Sequence, residues 1–190
     1  MEVADALILS QPLPNNMWSW TLTSRMGDLL RRAQQEFGSR DVSYTPLGVE
    51  FTANGPYIWY PGDPADHNVV IRLNSTALTD VPQACYQLAQ ECIHLLAPTG
   101  GSHANYLEEG ISIVFARRYI NEHFGFSMDQ PNPKYSEAAQ LVEALLALDP
   151  EAVRKVRAVQ PSFSQITVAN LRDKVPNCSA ELAEKVLRTF

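Results

Sequence analysis

Residues 89–101 read AQECIHLLAPTGG. They close a helix that Asp80 opens. Asp80 is a good N-cap, Pro82 falls in the first turn, and Gln83 takes the capping-box position. Cys85, Leu88, Ala89, Cys92 and Leu96 form the apolar stripe, and APTGG stops the helix. On the opposite side Gln90 and His94 stand four residues apart, so their side chains share one face a turn apart. Glu91 lies on the same edge. Two donors at i and i+4 converge on one ion, and an adjacent carboxylate reaches that ion's bound water.

A third donor must come from elsewhere. The next helix, NYLEEGISIVFARRY, starts near Asn105, buries Leu107, Ile111, Val114, Phe115 and Tyr119, and ends at Gly125. Asn105 and Glu108 have capping-box spacing, which assigns Glu108 to the helix start. Glu109 is rotated about 100° away and is free to point elsewhere. Gly110 removes a side chain and lets this helix approach a neighbour closely. Upstream, VSYTPLGVEFT, PYIWYPG and NVVIRLN read as three short strands, with Asn54-Gly55 as a hairpin cue. Without intervening helices they predict a small, mostly antiparallel sheet. Before them, TLTSRMGDLLRRAQQEFG places Leu22, Met26, Leu29, Leu30, Ala33 and Phe37 at helical spacing, with Gly38 as the stop.

Residues 1–20 read as an irregular arm whose Trp18 and Trp20 pack on the body. Residues 21–75 supply a helix and the sheet, and 80–125 the two motif helices. Residues 134–190 form three or four more helices, one marked by Leu141, Leu145 and Leu148 and another opened by DPEAVRKV. The expectation is a single α+β domain over residues 1–190.

The frame Gln90-Glu91-Cys92-Ile93-His94 differs at one position from H-E-x-x-H, the helical signature of zinc-dependent peptide hydrolysis. Together with NVVIRLN before it and L-E-E-G-I-S after it, the segment of about residues 56–120 resembles the zincin metallopeptidases of the gluzincin kind. The resemblance implies a zincin-like fold with a cleft between a sheet-bearing and a helical half. It implies zinc as cofactor, His94 and Glu109 as metal ligands, position 90 as a further ligand, and Glu91 as the catalytic general base. NVVIRLN would be the edge strand along which an extended peptide lies. Gln90 departs from the pattern, because an amide oxygen is a weaker zinc donor than imidazole. His103 is the nearest substitute nitrogen, and His67 and His123 are more remote. Two functions follow. One is an impaired or non-catalytic homologue whose cleft binds an extended peptide or a partner protein. The other is an active peptidase with Gln90 or His103 completing the site. The departure favours the first. A plainer reading makes Glu91 and His94 a solvated face with an i,i+3 pair. Tyr106 and Tyr135 suit packing better than oxyanion donation, and Arg117 and Arg118 suit a solvated face.

Composition sets the surroundings. In 190 residues, 45% are hydrophobic and 19% charged, which describes an ordinary globular chain. A net charge of -6 argues against nucleic acid as a partner. No apolar run reaches the roughly 20 residues that cross a bilayer, and MEVADALILSQPLP lacks the basic start of a signal peptide, so a cytoplasmic location without membrane contact is expected. Cys85 and Cys92, seven residues apart on one helix, lie about 10 Å from each other, too far for a disulfide.

Overall fold

The computed structural model describes residues 3–100, 104–128 and 131–190, and the chain is α+β. A short helix, α1 (Val3–Ile8), buries Leu7. Then β1 (Pro12–Leu13) and β2 (Met17–Trp18) pair antiparallel. The arm is therefore partly regular, and its tryptophans do not pack on the body: Trp18 is 60% and Trp20 45% exposed. Nothing local distinguishes a tryptophan that packs from one that does not. In α2 (Leu22–Phe37) all six residues of the expected stripe are buried. Thr21 and Ser24 cap its start reciprocally, and Gly38 ends it at φ +98°.

The sheet corrects three expectations. Its strands are β3 (Thr45–Thr52), β4 (Tyr57–Trp59) and β5 (Asn68–Asn74), in the order β3-β5-β4. The central strand β5 runs parallel to β3 and antiparallel to β4, so the sheet is mixed, and β5 is not an edge. Asn54-Gly55 makes no hairpin, because β3 and β4 flank β5 rather than each other. The turn instead crosses the end of β5. Asn74 Nδ2 donates to the Gly55 carbonyl at 2.9 Å. A Cβ on Gly55 would stand 2.6 Å from the Leu73 carbonyl carbon, so only glycine passes there. The run Val69, Val70, Ile71 and Leu73 is buried, as befits a strand covered on both sides. The edges are β3 and the short strand β4, whose Trp59 lies 3.5 Å beneath the Arg72 guanidinium.

The helix α3 (Val81–His94) starts where Asp80 Oδ1 accepts the Gln83 N–H, as its sequence predicts. Its stripe is buried, but so are Gln87, Gln90 and Glu91, which excludes a solvated polar face. Gln87 is used structurally: its Oε1 accepts the Asn74 N–H at 2.8 Å, joining α3 to β5. The next helix is α4 (Tyr106–Phe124), closed by Gly125 in the left-handed region. It crosses α5 (Pro133–Leu148) at Gly110, where a Cβ would stand 2.3 Å from the Ala138 carbonyl oxygen. The buried face of α5 is Ala138, Ala139, Val142 and Leu145. The helix marked by Leu141, Leu145 and Leu148 is present; Leu145 lies on its buried face, whereas Leu148 is 44% exposed.

Three more helices follow: α6 (Ala152–Arg157), α7 (Val168–Lys174) and α8 (Ala180–Leu187). One buried apolar cluster runs from Leu7 to Val186. Arg157, 4% exposed, donates to the carbonyls of Phe37, Gly38, Ser39, Leu96 and Pro161, joining the ends of α2 and α3 to the loop after α6. Cys85, Cys92 and Cys178 are free and buried. Among the described residues, no helix is long and apolar enough to cross a membrane.

Candidate functional site

The last turn of α3 and the first of α4 face each other across a cleft of about 360 Å³. One wall comes from β4 and the residue after it, through Tyr57, Ile58 and Tyr60, and Tyr135 of α5 closes another side. Gln90, Glu91, His94 and Glu109 all line this cleft. The helical offset of 90 from 94 and the approach of α4 bring them together.

Glu108 departs from its assignment. Asn105 Oδ1 accepts the Glu108 N–H at 2.9 Å, so the backbone half of the cap forms. Asn105 Nδ2 donates to the Phe163 carbonyl at 2.8 Å. The Glu108 carboxylate does not turn back to the helix start. It meets His94 Nδ1 at 2.7 Å. The helix start is held instead by the end of the chain, where the Tyr106 N–H donates to the Arg188 carbonyl and the Phe190 N–H to that of Ala104. Glu108 is thus a site residue that local spacing missed.

His94 Nε2 points the other way, 3.9 Å from Glu109 Oε1. Burial alone would lower the pKa of His94. The Glu108 hydrogen bond and the charges of Glu108, Glu91 and Glu109 outweigh burial and push it up to about 10. Burial raises Glu91 to about 7, with His94 opposing and Glu109 and Glu108 adding to the rise. Burial also raises Glu109, against the charges of His94 and Lys134 and with that of Glu108. Tyr60 and Tyr135 are raised chiefly by burial, and Tyr60 accepts the Gly100 N–H at 3.1 Å. Tyr60 carried no sequence signal beyond its place after a strand.

The remaining candidates lie elsewhere. His67 stacks on Tyr44, and His123 lies against Tyr119 and near Glu122. His103 falls outside the described residues. Tyr106 packs on Phe190 and Arg188, Arg118 pairs with Glu36, and Arg117 lies 3.9 Å from Glu143.

A zinc ion needs three protein donors converging on one point. The bond from Nδ1 to a carboxylate orients an imidazole as a metal ligand is oriented, and leaves Nε2 for the ion. Nε2 and Glu109 are separated by 3.9 Å, against roughly 3.3 Å for two ligands on a tetrahedral zinc. The third member is the Gln90 amide. Among the described residues, no group of three or more His, Cys, Asp and Glu side chains is arranged to hold a metal. Among the described residues, Gln90, His94 and Glu109 are a donor set that does not fit a tightly resident zinc. What the cleft offers instead is a buried imidazole between two carboxylates, with a third carboxylate and an amide beside it. No protein-family model, curated protein or solved structure matches the chain.

Proposed function

We propose that the chain is a zincin-like protein whose cleft has kept the layout of a metallopeptidase groove, has lost its metal, and now binds an extended peptide or a segment of a partner protein without hydrolysing it. One observation carries the reading. Both ring nitrogens of His94 face carboxylates, Glu108 at 2.7 Å and Glu109 at 3.9 Å, while position 90 supplies only an amide. The imidazole is engaged by the protein's own acids. The strand β4, not β5, is the edge beside the cleft, so a peptide would add to the free side of β4. Three free, buried thiols suit the reducing cytoplasm.

A second reading, an active peptidase with Glu91 as base, is favoured by the proton affinity of that carboxyl, near 7. Metal content and peptide hydrolysis of wild type, Gln90→His and Gln90→His/Glu91→Gln decide between the two. Wild type is expected to carry far less than one zinc per chain and to turn over no peptide. Gln90→His restores the second imidazole and should approach one zinc per chain. Wild type that retains stoichiometric zinc through dialysis and cleaves peptide overturns the proposal.

A further inference from the structure

We infer that the cleft takes the ammonium group of a lysine side chain, held between Gln90, Glu91 and Glu109 where a metallopeptidase would hold its metal. This rests on the peptide-binding reading above and names the chemistry of what is bound.

Gln90 and Glu91 are each only 6% exposed, and both line the cleft. Among the described residues neither side chain makes a hydrogen bond or an ion pair within the protein, and both open into the cleft. Buried polar groups are normally satisfied, so two adjacent ones opening into a cleft call for a ligand. The charges say which. Glu91, Glu108 and Glu109 face one imidazole, and Glu108 is committed to it by a short bond. Lys134 does not line the cleft, and its Nζ lies 4.1 Å from the centre of the Phe190 ring. Glu91 and Glu109 therefore keep acceptor capacity toward the cleft, and the Gln90 amide adds one oxygen.

An ammonium brings three donors to these three acceptors. A guanidinium brings five in a fixed plane, which three converging acceptors do not match. The rings of Tyr60 and Tyr135, on the way in, suit the four methylenes of the lysine stem. A peptide added to β4 would direct alternate side chains into the cleft, as this placement requires.

The test uses mixtures of N-acetylated, C-amidated, fluorescein-labelled heptapeptides. Each mixture is randomised except for a central lysine, acetyl-lysine, norleucine or arginine. Binding to the full chain is read by anisotropy. The lysine mixture is expected to bind at least tenfold more tightly than the acetyl-lysine and norleucine mixtures. Glu91→Gln and, independently, Glu109→Gln should each erase that preference while leaving the norleucine signal in place. Glu122→Gln, in the groove between α2 and α4, should leave the preference intact. Equal binding of lysine and norleucine overturns the lysine assignment and leaves the peptide reading standing. Arginine binding as tightly as lysine overturns the ammonium geometry. Binding of no mixture overturns both.

Discussion

At His94 two forces oppose each other: burial favours the neutral ring, and the surrounding acids favour the cation and win. The consequence for stability has a definite sign. A histidine raised from 6.5 to about 10 contributes stability that is complete below 6.5 and fades as pH climbs toward 10. Glu91 is an acid raised from 4.5 to about 7, so it costs nothing below 4.5 and an increasing amount up to 7. Both contributions decline with rising pH. Urea midpoints measured in EDTA should therefore fall between pH 5 and pH 9. Glu91→Gln should flatten the lower part of that fall and Glu108→Gln the upper part; a midpoint that rises over this range would contradict the assignment. The shared edge of Gln90, Glu91 and His94 was legible from helical periodicity, whereas the arrival of Glu109 beside them was only what the resemblance carried by L-E-E-G implied. The partner of Glu108 was not. Its spacing from Asn105 satisfies a local rule, and only the approach of α3, which no local rule contains, offers the carboxylate a stronger partner.

Between elements, Gly110 decides how closely α4 and α5 pack. In an ordinary helix, glycine to alanine stabilises by about 0.5–1 kcal/mol. Gly27, on α2 with nothing within 4 Å of a built Cβ, should behave this way. At Gly110 the added carbon meets the backbone of Ala138 and the Val142 side chain, so the sign should reverse and Gly110→Ala should cost about 1–3 kcal/mol. Urea denaturation of the two single variants checks the contrast, and equal shifts would show that the helices separate freely. The glycine itself was readable in the sequence. The face receiving it was not, because a leucine spacing outweighs Ala138-Ala139 in any hydrophobic pattern, although small residues are what a close crossing needs. Strand pairing failed for a related reason. Composition marks β3, β4 and β5 as strands, but β5 enters between the other two through contacts far apart in sequence.

Across the whole molecule, Arg157 ties the C-terminal helical third to the rest. Its five carbonyl partners lie in three separate segments, two of them at helix ends where the backbone dipole favours a cation. Burial pulls its guanidinium down to about 10. Arg157→Met would orphan several buried acceptors and should cost at least about 3 kcal/mol. Arg157→Lys keeps the charge but has three donors, so an intermediate loss is expected in the same denaturation assay. Loss of less than about 1 kcal/mol in Arg157→Met would mean that water replaces the side chain. In the sequence this arginine ends a basic run, VRKVR, and nothing local separates it from its exposed neighbours.

The three tryptophans also divide the molecule for anyone who watches it unfold. Trp18 and Trp20 are open on the arm, and Trp59 sits on the sheet under Arg72. None lies in the helical body. Intrinsic emission therefore reports on the arm and the sheet, whereas circular dichroism at 222 nm reports on the helices. A melt followed only by fluorescence would be blind to the part of the chain that holds His94.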